Sequence, residues 1–233
     1  MSSAAWRFAK IATVASVTFV AVVGLAHMPV AQPLLRRATA VVTGGGCPLG
    51  YDKTLTVEQK EASRRQFSAT HRGAVVARER PALGFVLDKS TKTEVLAWAS
   101  THHVACTAPQ VGADLECKNV PSELLPAAYR GAELSSLWLN FGADDKLVAA
   151  SAIRRADSAQ VIAAAFHAVT STLDTDTGAV AEVKGDSSAQ ALAAGSLRQT
   201  RAEHRLSNYY ASTSATNMGD HFVLSEEYRS LTP

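Results

Sequence analysis

An uncharged apolar run near the N-terminus constrains the rest of this chain more than any other feature. Residues 11–26 are rich in Val, Ala, Ile and Phe, Arg7 and Lys10 precede them, and no acidic residue occurs before Asp52. A segment of this kind partitions into a bilayer. We therefore expect the chain that follows to fold as a separate body on the far side of the cytoplasmic membrane.

The apolar run is interpreted in two ways. A spanning helix needs about 20 apolar residues for a hydrocarbon layer of about 30 Å. Residues 11–35, which end before Arg36, supply that length, so we predict an uncleaved anchor that contacts the lipid bilayer there. The alternative is a signal peptide cleaved after Ala26, with Gly24 as the second small residue of the cleavage site. A slight excess of basic residues on the N-terminal side favours a single-pass protein with its N-terminus inside.

The charge distribution excludes nucleic acid as a partner. Four of the 23 basic residues lie at or before Arg37 and all 21 acidic residues follow it, so the rest of the chain carries 19 basic against 21 acidic residues. Binding to a nucleic acid needs a clustered basic surface that displaces counterions. We expect a protein partner in the cell envelope instead.

Composition divides the chain into three parts. Residues 1–37 form the anchor or signal peptide, residues 38–81 a glycine-rich hinge with a polar helical connector, and residues 82–233 a globular domain. Within the hinge, Cys47 follows three glycines, a setting typical of an exposed loop cysteine. A domain of this length can bury a core of its own.

The connector should be helical from Thr54 to about His71. Thr56 and Gln59 stand in capping-box register, and few apolar residues follow them. Such a helix either packs one narrow stripe against the domain or stands as a stalk.

The globular domain is predicted to be α+β, with a mostly antiparallel sheet covered by helices on one face. Helices alternate with hairpins rather than with single strands, which favours antiparallel pairing. A capping box of Thr91 and Glu94 opens one helix, and Asp157 and Gln160 open another. The predicted strands are residues 83–87, 104–106, 115–120, 134–141, 146–154, 201–214 and 221–228.

Two of the three cysteines are spaced for a hairpin disulfide. Cys106 and Cys117 fall in neighbouring predicted strands, and an oxidising compartment would permit a bridge. Two buried free thiols remain the alternative, because spacing does not fix the distance between α-carbons.

Few residue patterns indicate metal or cofactor chemistry, and we assign no catalytic, cofactor or metal site. One cluster has ligand-type residues but lacks the paired spacing of zinc sites: His102, His103, Cys106 and Cys117. A second group partly matches a calcium loop, with its glycine one place early, and is better interpreted as the end of a helix: Asp174, Asp176 and Gly178. Phosphate-loop, nucleophile-elbow and dinucleotide-binding motifs are absent from the sequence.

Two surfaces are candidates for partner binding. One is a groove on the final sheet lined by aromatic and histidine side chains, although core packing is the simpler interpretation of these residues: Trp138, His204, Tyr209, Tyr210 and Tyr228. The other is the edge of the final hairpin, which would accept a partner strand if that hairpin ends the sheet.

The part of the sequence from the capped helix to the strands at Phe141 and Leu147 loosely resembles small bacterial envelope-assembly domains, over less than half of the chain. The resemblance implies helices on an antiparallel sheet. From the apolar run and the lack of a catalytic motif, we predict a membrane-anchored, extracytoplasmic interaction or envelope-assembly module without catalytic activity of its own. An anchored or secreted enzyme of hydrolase type, without a recognisable motif, and a secreted binding protein are the alternatives.

Overall fold

The structure is a computed structural model that describes residues 56–109 and 113–232. These residues belong to one compact unit, Thr54–Pro233. The apolar run, the glycine hinge and Cys47 lie outside the described residues. Within the described part of the chain, every helix is too short or too polar to cross a membrane.

The described residues contain four α-helices and ten strands. The helices are α1 (Val57–His71), α2 (Lys92–Thr101), α3 (Ala159–Thr177) and α4 (Ala189–Ala193). The strands are β1 (Pro81–Ala82), β2 (Phe85–Val86), β3 (Ala105–Thr107), β4 (Leu115–Val120), β5 (Glu133–Phe141), β6 (Leu147–Ala156), β7 (Glu182–Lys184), β8 (Gln199–Arg205), β9 (Tyr209–Asn217) and β10 (Phe222–Ser230).

Eight of these strands form one antiparallel sheet in the order β3-β4-β5-β6-β10-β9-β8-β7. The chain builds it in two halves, each a helix followed by a four-stranded meander: α2 with β3 to β6, and α3 with β7 to β10. Each meander starts at an outer edge, so the last strands, β6 and β10, meet in the middle. The prediction of an α+β fold with a large antiparallel sheet is confirmed.

One face of the sheet, the inner face, packs against α2, α3 and α4. Helix α3 lies on it because its apolar residues recur at helical spacing, and Ile162, Phe166, Val169 and Leu173 are all buried. Gly178 ends the helix with φ at 74°, in the left-handed region that glycine adopts without strain. The inner face and these helices enclose the two apolar clusters of the core.

Helix α1 lies on the opposite, outer face of the sheet, so the stalk interpretation is wrong. The predicted capping box is present, with Thr56 and Gln59 exchanging hydrogen bonds of 3.0 and 3.3 Å. Phe67 packs on the sheet, and the Ser68 hydroxyl donates to the carbonyl of Leu231 at 3.1 Å. Helices therefore contact both faces of the sheet, rather than one.

The last third of the chain differs from its predicted strands. The strand expected over residues 201–214 is in fact two strands, β8 and β9, joined by a turn at Ser207 and Asn208. Asn208 stabilises this turn by accepting a hydrogen bond from the backbone of Ala77 at 2.8 Å. The sequence also gave no indication of β7, which has three residues and closes one end of the sheet.

A buried ion pair joins the two halves of the sheet. Arg154 on β6 donates through Nε to Glu226 on β10, and both side chains are at most 1% exposed. The same guanidinium donates to the carbonyl of Tyr129, and the Tyr228 hydroxyl donates to the second oxygen of Glu226 at 2.5 Å. Burial, and then the charge of Glu226, raises the pKa of Tyr228. This hydroxyl therefore remains a neutral donor to the carboxylate.

Glu226→Gln should lower the free energy of unfolding by about 3–5 kcal/mol, because it leaves the Arg154 charge buried without a counterion. Glu227→Gln is the matched control. Glu227 is the next residue on β10, points to the outer face and pairs with Arg229, and the two side chains are 33% and 40% exposed. Loss of this exposed pair should lower the free energy of unfolding by less than about 1 kcal/mol. Urea unfolding of both variants checks this, and equal losses would contradict it. The double variant Arg154→Met/Glu226→Leu should be less destabilised than Glu226→Gln.

Candidate functional site

The outer face carries the side chains that point away from α2, α3 and α4. On the four central strands the outward residues stand in rows, and one row runs from Ala149 through Arg229 to Tyr210. Helix α1 covers this row. The Phe67 ring meets the Tyr210 ring edge-on at 5.2 Å, and the Arg229 guanidinium lies 4.3 Å from the centre of the Phe67 ring.

Beside α1 the outer face holds a cleft of about 220 Å³. Lys60 closes one end through an ion pair with Asp114 at 2.7 Å, and Arg64 pairs with Glu61 at 2.9 Å on the same helix. The cations at the cleft are thus already neutralised by carboxylates of this chain. This arrangement favours the fixing of α1 on the sheet over the binding of a small anion.

Charged residues at the β8 end of the outer face form a tight cluster. The Glu203 carboxylate accepts from Arg205 at 2.5 Å and pairs with Arg201 at 2.8 Å. Burial raises the pKa of Glu203, but the hydrogen bond from Arg205 and the two positive charges outweigh it, so the pKa is lowered overall. Arg201 also donates to the Tyr210 hydroxyl at 2.8 Å, which links the cluster to the row beneath α1.

Away from α1, the outer face is covered by none of the described helices. Short hydroxyl side chains dominate this free part: Ser136, Ser151, Ser214, Thr216 and Ser225. Three larger apolar residues cross it diagonally, Trp138 on β5, Ile153 on β6 and Val223 on β10, each one row further along than the last. Diagonal neighbours on a sheet lie about 7–8 Å apart, within reach of large side chains.

Two exposed apolar residues lie just beyond the ends of the next two strands. Met218 follows β9 and is 47% exposed, and Leu197 precedes β8 and is 75% exposed. The backbone holds both in place, since Leu197 N–H donates to Asn217 at 2.7 Å and Met218 N–H donates to His221 at 2.8 Å. Leu197 has φ at 60°, a conformation that a side chain of this type rarely adopts.

We call these five residues the diagonal stripe: Trp138, Ile153, Val223, Met218 and Leu197. An exposed leucine with a strained backbone conformation adds nothing to the packing of the core. Exposed apolar groups that extend a continuous stripe are typical of contact surfaces. The stripe was not predicted from the sequence, although Trp138 was named for a different groove, because its members come from five separate segments of the chain.

The alternative of an aromatic groove is not formed, and core packing, the simpler interpretation, holds for His204, Tyr209 and Tyr228. The structure separates its members between the two faces: His204, Tyr209 and Tyr228 point into the core, whereas Trp138 and Tyr210 point outward. The expected edge at the final hairpin is also wrong, because β10 lies between β6 and β9 in the middle of the sheet. The edges of the sheet are β3 and β7.

The cysteine and histidine cluster near β3 does not form a metal site. Cys106 and Cys117 lie directly opposite each other on β3 and β4 and are joined by a disulfide. His102 caps the C-terminal end of α2, and both it and His103 are exposed. Within the described residues, no group of three His, Cys, Asp or Glu side chains is placed to hold a metal ion.

Asp174 and Gly178 form the end of α3, as predicted, and Asp174 also joins the helix to the sheet. Its carboxylate lies 2.7 Å from Nε2 of His204 and accepts from the backbone of Ala181 at 2.9 Å. Burial lowers the pKa of His204 by more than Asp174 raises it. The neutral histidine therefore links β8 to α3 as a structural contact.

The lowered pKa of His204 makes stability depend on pH. In the unfolded chain His204 binds a proton near its ordinary pKa of 6.5, and in the folded chain only at lower pH. The unfolded state therefore gains protons first, and stability should fall as pH decreases below about 6.5. Urea unfolding at pH 5 and pH 7.5 should show a smaller difference for His204→Gln than for the wild type. His167→Gln, an exposed change on α3, should leave the difference intact.

Comparison of the chain with family models, with curated proteins and with solved structures returned no match.

Proposed function

We propose that this chain is a single-pass, membrane-anchored and extracytoplasmic binding module that holds a protein partner on the free part of its outer face. The observation that carries the proposal is the diagonal stripe, with Leu197 at 75% exposure as its end point. Interfaces are built around a few apolar anchors within a polar rim. The serines and threonines beside the stripe supply such a rim.

The proposed occupant is an amphipathic helix with an acidic flank. From strand and residue spacings the stripe is about 28 Å long, which a helix of about 19 residues would span. Helix α1 supports this choice, because it already lies on the same face through two ring side chains, Phe67 and His71, that contact Tyr210. A partner helix would lie beside it in the same layer.

Charge supports the acidic flank. Arg155 on β6, beside Val223, is exposed, and the register places Glu133 of β5 opposite it, although the described residues form no salt bridge to Arg155. An acidic residue at this end of the partner would pair with Arg155, and complementary charge speeds association and fixes its register. Three other arginines of the face already have partners: Arg201 and Arg205 pair with Glu203, and Arg229 pairs with Glu227.

A photo-crosslinking amino acid at Ile153 tests the binding face in the full chain, expressed in cells of its source. We expect a discrete adduct with one protein. Leu197→Asn should reduce it about five- to thirtyfold, the loss of one apolar anchor. The fold should tolerate Leu197→Asn, because asparagine adopts positive φ more readily than leucine. Arg155→Glu should weaken the same adduct.

Two controls decide the interpretation. The same crosslinker at Val161, an exposed position on α3 in the helix layer, should give no such adduct. An adduct at Ile153 that is unchanged by Leu197→Asn, or one formed with a second copy of this chain, would overturn the proposed binding face. Unfolding curves of each variant show whether a lost adduct reflects a lost fold.

Reporter fusions at Pro233 test the anchor and the localisation separately. Alkaline phosphatase fused there should be active, because the enzyme folds only outside the cytoplasm, and a fluorescent protein that requires the cytoplasm should stay dark. Bright fluorescence with inactive phosphatase would refute the extracytoplasmic assignment. Release of a soluble product beginning at His27 would refute the anchor and leave the binding face untouched.

A further inference from the structure

Strand β7 carries an exposed pattern of side chains at one edge of the sheet. Its three residues, Glu182, Val183 and Lys184, are all exposed, and Val183 is 49% exposed. One side of β7 pairs with β8, and the other has no strand neighbour among the described residues. Val180, just before the strand, is 84% exposed.

The charged residues of β7 stand directly opposite like charges on β8, although Glu203 is itself paired with Arg201 and Arg205. The register places Glu182 opposite Glu203 and Lys184 opposite Arg201. Like charges directly opposite on neighbouring strands are destabilising. The ion pair between Lys184 and Glu182 along the strand, at 3.3 Å with both side chains about 60% exposed, offsets little of this.

A second copy of β7 would match these charges. An antiparallel pair of β7 strands centred on Val183 places Glu182 of each copy opposite Lys184 of the other. Both opposite-charge pairs then lie on the outer face. The two Val183 side chains meet on the inner face, where each is now half exposed to water.

We propose that two copies of this chain associate through β7, edge to edge, to form one continuous sixteen-stranded sheet. The symmetry is a two-fold axis through Val183, since each copy offers the same surface to the other. The contact is short, so the dimer forms only at high protein concentration. The edge uses no residue of the diagonal stripe, and this association is independent of the proposed binding face.

Cysteine crosslinking tests the pairing in the full chain. In a Cys47→Ser background, Val183→Cys should form a disulfide-linked dimer under mild oxidation, because the two side chains would face each other across the axis. Leu96→Cys, on α2 beside the opposite edge, is the matched control, with the native residue 41% exposed. It should remain monomeric.

Charge reversal gives a sharper test. In the Val183→Cys chain, Glu182→Lys and Lys184→Glu should each reduce self-crosslinking severalfold, because like charges would then face each other. An equimolar mixture of the two reversed chains should crosslink to each other, and the chain with both reversals should crosslink to itself as the parent does. Each single reversal removes one like-charge pair with β8 and also the exposed ion pair between Lys184 and Glu182, so the free energy of unfolding should stay close to that of the parent.

A loss of self-crosslinking without a loss of stability would show that the reversals act on association and not on the fold. Crosslinking of Val183→Cys no stronger than that of Leu96→Cys would overturn it. So would single reversals that crosslink as well as the parent, or a mixture that fails to crosslink. Sedimentation velocity of the wild-type chain over a range of concentrations should show a monomer–dimer equilibrium that Glu182→Lys shifts to monomer.

Discussion

The ion pair between Arg154 and Glu226 crosses the central seam of the sheet, where β6 of the first meander meets β10 of the second. Each half of the sheet contributes one charge, and neither charge is solvated. A buried ion pair of this kind adds little stability compared with apolar side chains of similar size, but removal of one partner is strongly destabilising. If the two strands paired in a shifted register, both charges would be buried without their counterion. The pair therefore specifies how the two halves join.

This seam also determines the character of the outer face. With β6 and β10 in the middle, their outward residues occupy the centre of the face, and these include Ile153, Val223 and Arg155. Trp138 is brought in from β5 on one side, and Met218 and Leu197 from the ends of β9 and β8 on the other. The stripe therefore depends on the union of the two meanders, because neither half contains all of its members.

The local elements of this fold are predictable from sequence where a residue pattern has one physical interpretation. Both capping boxes, at Thr56 and Thr91, form as predicted, since threonine and the acceptor three residues later satisfy the same exposed amides in any context. The hairpin of β5 and β6 follows from alternating apolar residues on each side of a polar turn. Helix α3 follows from apolar residues at helical spacing.

The features that sequence did not predict depend on long-range packing. Strand β7 has three residues, too few for a periodicity, and exists because β8 pairs with it. The turn at Ser207 and Asn208 has residues that favour turns, but the two tyrosines that follow are typical of strands, so a continuous strand was also compatible with the sequence. The aromatic groove failed because consecutive residues of a strand point to opposite faces, so Tyr209 and Tyr210 are separated.

The position of α1 connects the proposed anchor to the proposed binding face. The helix is mostly polar, and the rings of Phe67 and His71, the Ser68 hydroxyl and the Lys60–Asp114 ion pair supply its contacts, so little apolar area holds it there. It lies directly after the hinge and beside the free part of the outer face. A partner helix on the diagonal stripe would be its neighbour and would gain contact area from α1. Binding would therefore add to the contacts that already hold α1 on the sheet.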